Sequence, residues 1–163
     1  MIMIVAADEK WGLGKNGDLL TPLPEDMKFF REKTRDSVVI LGRKTLESFP
    51  DGKPLKNRVN IVISRQENIP VEGIVKVSSV EEAAEEAKKY EGKNVFVIGG
   101  GTIYRQMLKY CDTAYITKIE KIFDDADTFI DNLDELDEWK IVEKSDIKEY
   151  NGTKFSFVTY KRI

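Results

Sequence analysis

Apolar residues recur along the chain with two periods, and the alternation of those periods sets the expected architecture. Short apolar runs at residues 2–7, 37–41, 58–64 and 95–98 are bounded by turn residues, which is the pattern of buried strands. Residues 73–77, 113–119, 139–145 and 154–161 read as further strands, with Asn151-Gly152 as a hairpin turn between the last two. Helical spacing appears at residues 24–33, where Pro24 suits the first turn and Met27, Phe29 and Phe30 form an apolar side. Residues 43–48 form a short helix. Residues 80–90 are amphipathic, with Val80, Ala83, Ala84 and Ala87 facing inward. A last helix covers residues 102–110. Residues 8–21, with Gly12, Gly14 and Gly17, read as a long loop, and residues 50–57 as a second one.

Early strands alternate with helices and late strands adjoin each other. This order predicts an α/β fold with a mostly parallel sheet flanked by helices and an antiparallel C-terminal edge. The length of 163 residues points to one domain over 1–163.

Composition then removes whole classes of chemistry. There is no histidine, which excludes Ser-His-Asp and Cys-His catalysis and imidazole zinc sites. The single cysteine, Cys111, excludes an internal disulfide and reads as a small buried residue near a helix end. A net charge of −3 argues against broad nucleic-acid binding. The apolar start is too short for a signal segment or membrane span, so no membrane partner and a cytoplasmic location are expected. The acidic stretch 124–138 has Phe129 and Ile130 where a calcium loop needs an oxygen ligand and glycine, so no metal is expected.

Three predicted strand ends carry groups that suit an anion. Val95–Ile98 runs into Gly99, Gly100 and Gly101, where backbone can approach a phosphate closely. Gly42, Arg43, Lys44 and Thr45 end another strand, and Ser64 and Arg65 end a third. Ligands of open α/β sheets bind beyond such carboxyl ends, and Arg43 with Arg65 suits the extra phosphate that separates NADP from NAD. At these three strand ends the spacing fits neither GxGxxG nor GxxxxGK[ST]. Asp26 shares a helical side with Met27 and Phe30, an acid among apolar neighbours, whereas Glu25 and Lys28 point to water. Such a carboxyl can hold an amidine-like ring and take part in proton transfer. Arg58, beside Pro54 and Leu55, is as consistent with a solvated strand end as with a fork onto a carboxylate.

In this order and spacing the motifs resemble bacterial dihydrofolate reductases over nearly the whole chain. The matching segments are Ile4-Val5-Ala6-Ala7, Gly12-Leu13-Gly14, Leu23-Pro24-Glu25-Asp26, Gly42-Arg43-Lys44-Thr45 and Pro54-Leu55 with Arg58. Ile98-Gly99-Gly100-Gly101 with Tyr104, Thr117, and Asp127-Thr128 complete them. The resemblance implies an eight-stranded sheet with about four helices, and NADPH-dependent reduction of 7,8-dihydrofolate to tetrahydrofolate in one-carbon metabolism. It implies catalytic roles for Asp26, Thr117 behind it, and Thr21. Substrate contacts would come from Val5, Ala6, Met27, Phe30, Phe49, Leu55, Ile98 and Tyr104, with Arg58 on the glutamate α-carboxylate. Cofactor contacts would come from Ala7, Leu13, Gly14, Gly17, Asp18 and Leu19 in the first loop, which closes over the nicotinamide. Further ones are Gly42, Arg43, Lys44, Thr45, Ile63, Ser64 and Arg65. The glycine turn adds Ile98, Gly100, Gly101, Thr102, Ile103, Tyr104 and Gln106, with Thr128 beside it. Gly99–Gly100 matches the family's cis peptide.

A monomer that binds dihydrofolate and antifolate inhibitors is the implied state. Two departures stand out. Leu19-Leu20-Thr21 replaces the family's Leu-Pro-Trp, whose tryptophan helps hold a water near the pterin, and Ile130-Asp131 replaces Phe-Pro. Two other readings share these residues: a reductase of the same fold acting on a riboflavin-pathway pyrimidine, and a dinucleotide-binding module without turnover. Asp26 paired with Arg58 favours folate over the first. Asp26 with Thr117 argues against the second.

Overall fold

Strand β1 (Ile2–Ala7) lies in the middle of the sheet, and everything at the site is arranged around its carboxyl end. The structure is a computed structural model that describes residues 1–16 and 18–163, without the Asp18 side chain. The elements that follow are β2 (Gly12–Lys15), β3 (Asp18–Leu19), α1 (Pro24–Thr34), β4 (Val38–Gly42), α2 (Arg43–Glu47), β5 (Val59–Ile63) and β6 (Ile74–Val77). Next come α3 (Val80–Ala87), β7 (Val95–Gly99), α4 (Gly101–Met107), β8 (Thr113–Ile119), β9 (Thr128–Phe129), β10 (Trp139–Lys144), β11 (Lys148–Tyr150) and β12 (Thr153–Arg162).

Eight strands run in the order β10-β12-β8-β1-β7-β4-β5-β6, with β11 paired beside β12. All pairs from β8 to β6 are parallel; β12 is antiparallel to β8, β10 and β11. The mostly parallel sheet with an antiparallel C-terminal edge, and the four α-helices among the described residues, are thus as expected.

Period-2 alternation divides the core into two groups, as a strand's side chains must. Val38, Ile40, Ile61 and Val97 join one group, with Val80, Ala83 and Ala87 of α3 and Tyr104 and Met107 of α4. Val39, Leu41, Val62, Phe96 and Ile98 join the other, against Leu46 of α2 and Phe29 and Phe30 of α1. Helix α3 forms where its inward apolar positions predict it, and Ser79 caps it by accepting from Glu82 N at 3.1 Å. Cys111 is buried near the end of the α4 segment, and burial pushes its thiol up to about 11.

Two expectations need correction. The segment 8–21 is not structureless: β2 and β3 form a separate three-stranded sheet with β9 from the acidic stretch. Pairing supplied from more than 100 residues away cannot be seen in local periodicity. The Asn151-Gly152 turn joins β11 to β12, not β10 to β12, because a short extra strand intervenes. No helix among the described residues is long and apolar enough to cross a membrane.

Candidate active site

The central crevice exists because β1 and β7 pair only at Ile2–Phe96 and Met3–Val97, whereas β1 stays paired with β8 through Ala7. Beyond Met3 the two strands have no further residue pairs. Tyr104 of α4 enters there, donating its hydroxyl to the Ile4 carbonyl at 2.8 Å. Burial, with the nearby Asp26 carboxyl, pushes the Tyr104 hydroxyl far above the ordinary tyrosine range, so it remains a donor. Val5 and Ala6 are half-buried on the β1 side, and Ile98 is buried on the β7 side.

Asp26 faces this crevice from the first turn of α1. The helix is placed by Phe29, which stacks on Phe157 at 4.3 Å and meets Tyr115 edge-on. Such pairs contribute about 0.5–1.5 kcal/mol each beyond area burial. Thr117 Oγ1 donates to Asp26 Oδ1 at 2.5 Å. Burial of the carboxyl raises the Asp26 pKa; the Thr117 hydrogen bond opposes that rise but does not cancel it. Met27 is left 48% exposed, and Phe30, Phe49 and Leu55 are half-buried along the same wall. Thr21 is half-buried in the bend between β3 and α1.

Arg58 closes the far end of that wall. Its Nε donates to Thr34 Oγ1 at 2.9 Å and its Nη1 to the Lys56 carbonyl at 3.1 Å, with the guanidinium over the Phe30 ring. Among the described residues no carboxylate forms an ion pair with it, and burial together with the Arg31 charge lowers its pKa. A partly desolvated guanidinium without an anion is set to accept one. Asn60, buried on β5, was missed by sequence reasoning. Its side chain bonds the Leu55 N–H and carbonyl and the Arg58 carbonyl, so it holds this loop in shape. Its signal was an amide in the middle of a buried apolar run.

The glycine turn lies on the other side of the crevice. Gly99–Gly100 is a cis peptide, and Gly99 has φ of 139°. A Cβ at Gly99 would come within 3.3 Å of Thr45 Oγ1, and one at Gly101 would collide with Thr128 Cγ2. Backbone, Thr45 and Thr128 therefore meet here only because these positions lack side chains. Ile103 packs under Gly42. Register aligns Gly42 with Ile63, so Arg43 and Ser64 leave neighbouring strands side by side. Neither α2 nor α4 has a side-chain cap, so their first-turn N–H groups take no donor-matching side chain. Ser64 is buried, Arg65 and Lys44 are exposed, and Thr102 and Gln106 lie on the exposed side of α4.

Some expected cofactor residues behave differently. The Arg43 guanidinium pairs with Glu47 at 2.6 Å, so an incoming phosphate must compete with that carboxylate. The Leu13 side chain is buried in the core, which leaves its backbone as the accessible part. Leu19 is 66% exposed and Ala7 is buried. Gly14 lies on β2, where its carbonyl accepts from Asp127 N at 3.0 Å while Asp127 Oδ2 accepts from Asn16 N at 2.9 Å. Gly17 and the Asp18 side chain lie outside the described residues.

The sequence profile of dihydrofolate reductase matches residues 1–162. The chain belongs to the dihydrofolate reductase family. It is 38% identical to a dihydrofolate reductase of Buchnera aphidicola over 160 residues, which are 98% of this chain and 94% of that protein. It is 37% identical over 185 residues to a bifunctional dihydrofolate reductase-thymidylate synthase of Daucus carota, of which it spans only 33%. The chain thus covers about a third of the length of the bifunctional plant members of the family. A solved structure of the Enterococcus faecalis dihydrofolate reductase, complexed with NADP(H) and RAB-propyl, superposes with a TM-score of 0.85 at 36% identity. That match covers 99% of this chain and 95% of the other.

Proposed function

We propose that this chain reduces 7,8-dihydrofolate to 5,6,7,8-tetrahydrofolate with NADPH, acting as one domain over residues 1–163 and as a monomer in the cytoplasm. Family membership and the superposition on an NADP(H)-complexed reductase support the reaction and the cofactor. One domain is supported by β1, which starts at Ile2, and β12, which ends at Arg162, lying in the same sheet. The observation that carries the reading is Asp26, hydrogen-bonded to Thr117 and raised in pKa, across the crevice from the glycine turn.

The donor set fits NADPH. Arg43, Lys44 and Arg65 supply positive charge, Thr45, Ser64 and Thr102 supply hydroxyls, and the starts of α2 and α4 supply N–H groups. Arg43 and Arg65 take the 2′-phosphate. Gly42, Ile63, Gly100, Gly101, Ile103, Gln106 and Thr128 shape the groove, and Ala7, Leu13, Gly14, Gly17, Asp18 and Leu19 cover its end beside the crevice. When bound, NADPH supplies a hydride to C6 of the pterin.

The remaining work belongs to the chain. Asp26 holds the amidine edge of the pterin and keeps a proton available toward N5, because burial favours its neutral form. Thr117 orients the Asp26 carboxyl. Val5, Ala6, Ile98 and Tyr104 frame the ring, and Met27, Phe30, Phe49 and Leu55 pack on it and exclude water. Arg58 forks onto the α-carboxylate of the glutamate tail. Thr21, in the bend before α1, supplies a small hydroxyl that can hold a water near the pterin. Antifolate inhibitors with a diaminopyrimidine edge occupy the same carboxyl.

The test is oxidation of NADPH by purified protein, followed at the nicotinamide absorbance band. Loss that depends on dihydrofolate is expected, and Asp26→Asn should cut turnover at neutral pH by about 10²-fold or more while keeping NADPH affinity. Cofactor binding without dihydrofolate-dependent oxidation would favour a binding module instead.

A further inference from the structure

Asp8 is a carboxyl group, 3% exposed, that none of the roles above uses. It stands just past the end of β1, and no cation pairs with it among the described residues. Both oxygens are engaged by backbone instead. Oδ1 accepts from Lys10 N at 2.9 Å and from Gly12 N at 2.8 Å; Oδ2 accepts from Phe123 N at 3.0 Å. The first donor belongs to the turn that enters β2 and the second to the first residue of β2. The third belongs to the connection that leads from β8 to β9, more than a hundred residues away. Glu9 N adds a parallel tie by donating to the Lys121 carbonyl at 3.0 Å.

What Asp8 joins reaches the glycine turn. Gly12 pairs with Phe129, and Gly14 with Thr128, so β2 and β9 form one ribbon. Thr128 lies so close to Gly101 that a Cβ there would collide with it, and Arg105 of α4 donates to the Phe129 carbonyl at 2.8 Å. The ribbon is thus tied at one end by Asp8 and rests at the other on the start of α4. Space at the tied end is equally tight: a Cβ on Gly12 would come within 3.1 Å of both Asp8 oxygens and 3.0 Å of Ala126.

We propose that Asp8 is a positioning residue that latches the β2–β9 ribbon to the end of β1 and so sets the ribbon against the Gly99–Gly101 turn for NADPH. This rests on the NADPH-dependent reading of the crevice. The substrate wall, built from α1, Phe49, Leu55 and Arg58, is independent of the latch. A buried acceptor bound by three N–H groups cannot be replaced by an amide without loss: whichever way the amide is turned, one side presents N–H to N–H.

The experiment measures NADPH and dihydrofolate dissociation constants separately, with the single-turnover hydride-transfer rate, in wild type, Asp8→Asn and Gly12→Ala. Asp8→Asn is expected to weaken NADPH by roughly tenfold and slow hydride transfer, with dihydrofolate affinity held within about twofold. Gly12→Ala, which keeps the carboxyl but crowds it, should shift NADPH in the same direction. Equal loss for both ligands, or a lowered Tm with both affinities intact, overturns the proposal and leaves Asp8 a stabilising residue only. If Asp8→Asn does not fold, Gly12→Ala decides alone, and unchanged NADPH affinity there overturns the latch. Wild-type protein that lacks dihydrofolate-dependent turnover refutes the enzyme reading instead, a separate result.

Discussion

In the proposed reaction, Asp26 sets proton supply against stability at a single position. Its pKa is raised by burial in the folded chain, so the fold binds more protons than the unfolded chain between the two values. Its stabilising contribution is complete below the ordinary aspartate value of about 3.9 and is lost as pH rises through the folded value. Replacing it by asparagine, which still accepts from Thr117, should therefore raise the melting temperature at pH 7. That advantage should shrink as pH falls through the raised Asp26 value and be gone below the ordinary aspartate value. Thermal melts of wild type and Asp26→Asn across that range check this; equal melting at every pH would contradict it. The same shift gives the activity a direction: hydride-transfer rate should decline as pH rises through the Asp26 value.

In the proposed site Arg58 makes a second, separable contribution. Arg58→Ala should raise KM for dihydrofolate by about 10- to 100-fold with little change in kcat, since a charge-assisted fork is worth about 1.5–3 kcal/mol in ground and transition state alike. A dihydropterin without the glutamate tail should show no difference between the two proteins. Asp26 was legible in the sequence because an acid on an apolar helical side is a local anomaly. Spacing left Arg58 undecided until Thr34, Lys56 and Phe30 gave it a fixed position without an anion.

Among the elements, the helices and buried strands were legible, because apolar period and local capping act over a few residues. The β2–β9 ribbon was not. Its two strands are four and two residues long, rich in glycine or flanked by acids, and their pairing joins segments more than a hundred residues apart. The same contact decides how the glycine turn tolerates change. Gly101→Ala should weaken NADPH binding by about tenfold, because its Cβ runs into Thr128 Cγ2. Thr128→Ser removes that methyl and keeps the hydroxyl that donates to Asp127. The double variant should recover most of the affinity, as measured by fluorescence titration. Failure of the second change to help would mean that Gly101 matters for its approach to the ligand, not for its fit against β9.

At the scale of the molecule, the crevice follows from sheet topology. The chain passes outward through β4, β5 and β6 and returns to insert β7 beside β1, and these two neighbours pair for only two residues. The ends of β4, β5 and β7, which we propose hold the cofactor's phosphates, consequently lie together on one side of the crevice, with Asp26 and Thr117 on the other. Binding there should stabilise the whole fold: at 100 times Kd, NADPH adds about 2.7 kcal/mol. A thermal-shift comparison should show NADPH raising Tm more than NADH at equal concentration. Arg43→Ala with Arg65→Ala should remove the difference. A persisting difference would move the phosphate recognition to other groups, and the Glu47 pairing of Arg43 makes Arg65 the stronger contributor.

Fold class and the residue types at the strand ends and on α1 were legible from the amino-acid pattern alone. These are local properties: periodicity, glycine where backbone must come close, an acid where apolar neighbours surround it. Which distant groups meet followed from the folded sheet. It split β1 from β7, put Thr117 behind Asp26, turned Asn60 and Asp8 into fasteners of backbone, and gave Arg43 a competing carboxylate. The physical reason is the same in each case. A hydrogen bond or ion pair between segments depends on register and approach across the whole sheet, and no short window of residues carries that information.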